Sequence, residues 1–152
     1  KFVSAMAQKN ANNASFHSLS QLHNCDLLCI NEDELRNELR DKKSNIDLIA
    51  KNFLKKNKLK YLVVTQGIGG SKLFNSKSQQ FFCPSFNSKP IDKVGAGDSM
   101  IAILSILLKN NFHPSVCLLI ASLVASYVVN NIGNSYIADK TQIERDLEFL
   151  LK

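Results

Sequence analysis

Short, nearly continuous apolar runs at residues 2–7, 26–30 (DLLCI) and 61–65 (YLVVT) alternate with stretches whose apolar residues recur every three or four positions. A five-residue apolar run bounded by polar residues fits a strand covered on both faces, the pattern of a parallel sheet. Residues 45–56 place Ile46, Ile49, Ala50, Phe53 and Leu54 on one helical face, and a shorter helix is predicted over 32–40. The runs 71–75 and 79–84 flank Ser76, Lys77 and Ser78 and predict a hairpin. Beyond Asp92 the rhythm becomes helical: residues 97–110 and 114–131 carry dense apolar faces and are expected to pack deep. A last helix is predicted to open with a capping box from Thr141 to Glu144, and to bury Ile143, Leu147, Leu150 and Leu151. Strands alternating with helices, then helices alone, predict an α/β layer sandwich.

Composition narrows the class. With 45% hydrophobic and 21% charged residues over 152 positions, the chain can bury a core and is neither disordered nor a disulfide-stapled miniprotein. The apolar runs at 101–108 and 116–129 are short or broken by serine, below the ~18 residues of a membrane span, so no membrane partner is expected. The first residue is not Met, and the chain opens directly in the apolar run at 2–7, which reads as a piece of a longer protein. Nineteen Lys and Arg against thirteen Asp and Glu give a net charge of +6. The densest basic run, residues 51–60, is spaced like the wet face of a helix, so no nucleic-acid partner is expected. Cys25, Cys29, Cys83 and Cys117 lack a second ligand pair at zinc spacing, and Cys29 sits inside an apolar run. They read as buried, reduced thiols of a cytoplasmic protein. His17, His23 and His113 show no catalytic spacing and read as surface or loop residues.

All six glycines fall in three places, 67/69/70, 95/97 and 133, and the first 66 residues have none. Glycine is required where φ is positive or where backbone must approach a ligand closely. The first group follows the 61–65 strand, and ligands of open parallel sheets bind beyond the carboxyl ends of strands. It is not a Walker loop, since no glycine precedes Lys72, and it fails GxGxxG, since Lys72 takes the third glycine position. Taken alone it suits a tight hairpin turn as well as a phosphate site. The second group, Gly95-Ala96-Gly97-Asp98, leads straight into a predicted helix. Small residues there leave first-turn amides uncovered, and with the helix dipole they form an anion hole. The dipole explains Asp98 alone, but not two glycines that weaken a helix start. Asn31 with Glu34 reads by itself as an N-cap and capping box, and Gly133 as a helix C-cap.

Three motifs in order carry a resemblance. Asn31-Glu32-Asp33-Glu34 matches N-x-x-E, Thr65-Gln66-Gly67-Ile68-Gly69-Gly70 matches T-x-G-x-x-G, and Gly95-Ala96-Gly97-Asp98 after Asp92 resembles the second signature of the PfkB (ribokinase-like) carbohydrate kinases. Gln8, Asn10, Asn13 and Phe16 are similar to the sugar-kinase part of heptose-type bifunctional kinase–nucleotidyltransferases. Lys93, where a small or β-branched residue is usual, and Ile103, where Ala or Gly is usual, depart from the pattern. The resemblance covers nearly the whole chain but only the carboxyl-terminal half of a kinase domain. It implies a ribokinase-like three-layer α/β/α sandwich, with residues 1–152 as one partial, nucleotide-binding domain.

The activity so implied is ATP-dependent phosphoryl transfer to a hydroxyl of a sugar or sugar phosphate. Asp98 would be the catalytic base, and Gly95, Ala96 and Gly97 would donate backbone N–H groups to the transferred phosphoryl. Glu34, with Asn31, would organise Mg2+ through water. Thr65, Gly67 and Gly70 would line the nucleotide phosphates, Asn131 and Gly133 would lie by the adenine, and Asp92 is a candidate ligand for a monovalent cation such as K+. Two readings of other classes stay open. One is a non-catalytic nucleotide-binding module or fragment. The other is an assembly element whose apolar edge, left bare by truncation, pairs with another chain; a homodimer is among the expected partners.

Overall fold

The computed structural model describes residues 1–6, 25–92, 94–132 and 139–152. Lys93, Gly133, His17, His23 and the Gln8–Phe16 pattern therefore lie outside the described residues. Among the described residues one sheet runs in the order β1 (Ser4–Met6), β2 (Leu27–Asn31), β3 (Tyr61–Thr65), β4 (Ser71–Asn75) and β5 (Gln80–Cys83). The first three strands are parallel, and β4 and β5 are antiparallel additions. The helices are α1 (Glu32–Leu39), α2 (Ile46–Lys56), α3 (Ala96–Lys109), α4 (Pro114–Val129) and α5 (Lys140–Leu150).

Successive strand residues point to opposite faces, so two cores form. Leu28, Ile30, Leu62, Val64 and Phe74 pack with Leu35 of α1 and with Ile49, Phe53 and Leu54 of α2. Leu27, Cys29, Val63, Leu73 and Cys83 pack on the other side with Met100 and Leu104 of α3 and Cys117, Leu118 and Ala121 of α4. The result is the three-layer α/β/α sandwich implied above. β2 and β3 are covered on both faces, which is why their sequences carry no alternation. Leu62, Val63 and Leu73 are fully buried, and truncating any of them to Ala costs about 2–5 kcal/mol. Ile103 sits half-buried against the α3/α4 core.

Local signals explain the helix starts. Asn45 caps α2 by accepting from the Asp47 N–H at 2.8 Å, and the predicted face, from Ile46 to Leu54, is buried. Pro114 occupies the first turn of α4, where its missing N–H costs nothing. Lys55, Lys56, Lys58 and Lys60 are exposed, as a solvated basic face requires.

Three expectations need correction. The α5 N-cap is Asp139, whose carboxylate accepts from the Thr141 N–H at 3.0 Å; Glu144 instead faces Lys140 at 3.5 Å. The α5 stripe is not buried either: Ile143 and Leu147 are half-covered, and Leu150 and Leu151 are exposed. Among the described residues β1 is a half-buried three-residue edge strand, Ser4–Met6, rather than a buried run from residue 2; Ala7 lies outside them. Among the described residues, no helix is long and apolar enough to cross a membrane.

Candidate active site

The register of the sheet places the first two motifs side by side. Asn31 ends β2, Thr65 ends β3, and the two are direct partners in the parallel ladder. Asn31 then caps α1: its Oδ1 accepts from the Glu34 N–H at 2.8 Å, and Glu34 Oε2 accepts from the Asn31 N–H at 2.9 Å. The local reading of this pair as a capping box is therefore what the structure contains. The box also fixes the rotamer of Glu34 at the mouth of the sheet.

After Thr65 the chain turns back antiparallel, with Thr65 paired to Ser71. Residues Gly67–Gly69 form a single 3-10 turn, closed by the Gln66 N–H donating to Gly70 O at 2.8 Å and the Gly70 N–H donating to Gly67 O at 3.0 Å. Two of its glycines are required for different reasons. Gly70 has φ +90°, and a Cβ there would lie 2.3 Å from Cys83 O and 2.9 Å from Pro84 Cα. The close approach of β5 dictates it. Gly67 has φ +58°, and a Cβ there would meet nothing within 4 Å. Only its conformation favours glycine, and the space beside it is open.

The third motif starts α3. Gly95, at φ +81°, is the N-cap and provides no side chain to cap the helix. By helix geometry the N–H groups of Ala96, Gly97 and Asp98 have no intrahelical acceptor, so they form a positive end. Met6, at the end of β1, packs over Gly97, its Sδ 3.1 Å from where a Cβ would be.

A cavity of about 610 Å³ joins the three. Its wall includes Asn31, Glu34, Thr65, Gly67, Gly70 and Gly95 through Asp98. Glu34 is half-buried and Asp98 exposed. The volume is that of a small-molecule site, and the remaining wall is largely apolar, with Met6, Ile30, Phe86, Met100 and Val129. Two predicted residues are not brought in. Asn131 donates its side-chain amide to Tyr127 O at 2.7 Å, closing the end of α4. Asp92 accepts from the Val94 N–H at 2.9 Å, and its own N–H donates to Val129 O at 3.0 Å; neither residue is in the cavity wall.

The structure adds wall residues that the sequence did not mark. Ser71 and Ser122 share a hydrogen bond of 2.9 Å between β4 and α4. Asn87 donates to Ser126 O at 2.6 Å and accepts from Asn130 Nδ2 at 3.1 Å, tying the β5–α3 connection to α4. Around Phe86 and Asn87 that connection has no periodicity, and the signal there is the flanking pair Pro84 and Pro90. Behind the glycine turn, Glu32 accepts from Gln66 Nε2 at 2.6 Å and from Arg36 Nε at 2.7 Å. The Gln66 hydrogen bond, then Arg36, holds its carboxyl below the ordinary range.

The four cysteines are buried thiols, and burial pushes that of Cys29 up to about 12. Among the described residues no three His, Cys, Asp or Glu side chains gather as a metal site.

The pattern of the pfkB family carbohydrate kinases matches residues 5–141. The chain belongs to that family. Its fold is shared with the ribokinase of Thermotoga maritima, at 23% identity and a TM-score of 0.69, over 82% of this chain and 42% of that one. The 2-dehydro-3-deoxygluconokinase of the same organism aligns at 18% identity and a TM-score of 0.80, over 95% and 49%. Phosphofructokinase-2 of Escherichia coli, solved with potassium, aligns at 19% identity and 0.77, over 98% and 47%. The pfkB chain described here thus spans less than half the length of these structures. No curated protein sequence matches it significantly.

Proposed function

We propose that this chain supplies the nucleotide-binding and catalytic-base half of an ATP-dependent sugar or sugar-phosphate kinase. One observation carries the reading: a single cavity is walled both by the first turn of α3 with Asp98 and by the paired ends of β2 and β3. Structures of relatives agree with it in kind. A ribokinase-II candidate from Escherichia coli holds ATP and Mg2+, and phosphofructokinase-2 was solved with its substrates and products.

The residues present fit a nucleotide with magnesium. The amides of Ala96, Gly97 and Asp98 offer donors to phosphate oxygens, and Gly67 leaves open space for a close approach of backbone. Glu34, fixed by its cap with Asn31, presents one carboxylate, enough for an ion that keeps most of its water. When bound, Mg2+ neutralises charge on the phosphates. For K+, the candidate carboxylate of Asp92 already accepts from Val94 outside the wall, and no step is derived through such an ion.

In the reaction so read, the acceptor hydroxyl oxygen bonds to the terminal phosphorus, the bond to the bridging oxygen breaks, and ADP leaves. Asp98 takes the hydroxyl proton. Donors at the α3 terminus stabilise the charge spread over the transferring phosphoryl group, where positioning and electrostatics contribute most of the catalysis. Asp98→Asn in the enzyme should lower turnover roughly 10²–10⁴-fold while ATP affinity persists. Unchanged turnover would remove Asp98 from this role.

A second reading of the same cavity is a non-catalytic nucleotide-binding module. As a binding module it would hold ATP with magnesium without orienting an alcohol for in-line attack. Calorimetry paired with a phosphate-transfer assay separates the two: binding without transfer is the module, and transfer is the kinase.

A further inference from the structure

The geometry of the 66–70 turn needs something behind it, and here that support comes from one carboxylate. Glu32 is the first residue of α1 and is three-quarters shielded from solvent. Its Oε1 accepts from Arg36 Nε, one turn along the same helix, at 2.7 Å, and its Oε2 accepts from Gln66 Nε2 at 2.6 Å. Arg36 is held in turn, donating through Nη1 to Ser44 O at 3.0 Å. The Gln66 contact spans 34 residues of sequence and joins the helix that presents Glu34 to the turn that presents Gly67. Gln66 has its backbone in that turn, where its N–H and carbonyl both bond within residues 66–70.

We propose that Glu32 is a positioning residue: clamped between Arg36 and Gln66, it locks the 66–70 turn to the amino end of α1, so that Thr65 and Gly67 face Glu34 across the cavity in a fixed relation. The inference rests on the nucleotide-binding reading above. Without the clamp the turn samples other arrangements, and apparent affinity falls by the fraction of chains whose turn is competent. Loss of a charge-assisted hydrogen bond corresponds to roughly a tenfold change.

The test is calorimetric binding of ATP with Mg2+ to the full chain and to Glu32→Ala, Gln66→Ala, the double alanine variant and the exchanged pair Glu32→Gln/Gln66→Glu. Amide hydrogen exchange of residues 66–70 is measured on the same samples. Each single alanine variant should weaken binding roughly tenfold, and the double variant no further, because both remove one contact. Exchange at 66–70 should quicken in step, and the exchanged pair should restore both readouts to within about twofold. Unaltered binding in the alanine variants, or weakening that the exchanged pair fails to repair, overturns the proposal. Should Glu32→Ala not fold, Gln66→Ala and the exchanged pair carry the same comparison. A wild-type chain that does not bind ATP with Mg2+ refutes the nucleotide reading itself, which the hydrogen exchange of the clamp variants does not depend on.

Discussion

Gly67 and Gly70 stand three residues apart in one turn, and the structure assigns them opposite jobs. Replacing Gly70 by Ala puts a Cβ 2.3 Å from Cys83 O and 2.9 Å from Pro84 Cα, both backbone atoms that a side-chain rotation cannot clear. Its φ of +90° and ψ of −149° also lie where glycine alone is at ease, at a cost of about 1–3 kcal/mol for another residue. Displacing the end of β5 adds the strain of overpacking, about 1–3 kcal/mol. The sum, about 2–6 kcal/mol, is a large part of the ~5–15 kcal/mol that holds an ordinary domain together. For a chain of this size it lowers Tm by roughly 5–20 °C. Gly67→Ala meets nothing within 4 Å. Only its positive φ is penalised, by about 1–2 kcal/mol, and the stiffer unfolded chain returns part of that. Thermal and urea unfolding of the two variants should therefore separate them by roughly 1–5 kcal/mol, with Gly70→Ala the less stable. Binding of ATP with Mg2+ should respond in the reverse order per unit of stability lost, since the Gly67 methyl is added beside the cavity. Equal losses of stability, or a larger loss at Gly67, would refute the packing account of this turn.

Other consequences are testable on the same protein. Burial raises all four thiols, Cys29 to about 12 and Cys117 to about 11, so a thiol reagent at pH 8 should label them only on unfolding; rapid native labelling of more than one would contradict their packing. The Asp47 carboxyl is raised by burial but lowered further by Lys72, 2.6 Å away, for a net downward shift from 3.8. Its folded value lies below its unfolded one, so the pair stabilises the fold above about pH 4 and that contribution is lost as pH falls through the depressed value; urea midpoints of wild type and Asp47→Asn should differ at pH 7 and converge in strong acid. Asp139→Ala should cost about 1 kcal/mol of stability by loss of a cap, whereas Thr141→Ala should cost a few tenths; a reversed order would restore Thr141 as the cap.

Much of the layer structure was legible because its causes are local. Ile46, Ile49, Ala50, Phe53 and Leu54 repeat with the helical period and are all buried. The unbroken runs of β2 and β3 announce strands covered on both faces, and they are so covered. Where sequence reading failed, the deciding partner was distant or ambiguous. In α5, Asp139 and Thr141 are both good caps, and nothing local tells which will accept the N–H. Its apolar stripe shows that a face exists but not that a neighbour covers it; α4 reaches it through the hydroxyl of Tyr127 and the Asp146 carboxylate, leaving Leu150 and Leu151 in water. The wall residues Phe86 and Asn87 belong to a connection without periodicity, so only the assembled structure reveals them.

The motif residues raise a different point, because for them the structural and the chemical readings are not rivals. Asn31 and Glu34 form a reciprocal capping box, which stabilises α1 irrespective of any ligand. The same two hydrogen bonds hold Glu34 at the cavity wall, and the parallel register of β2 with β3 puts its partner Asn31 next to Thr65. A carboxylate that had to be frozen on binding would lose side-chain entropy at that moment; this one has lost it on folding. Gly70 is comparable, since the packing of β5 that demands glycine also sets the width of the turn that Gly67 opens to the cavity. Capping and close packing are thus the means by which this fold holds polar groups preorganised at the cavity wall. A residue with a complete structural explanation remains a candidate for the site whenever that explanation also determines where its polar atoms point.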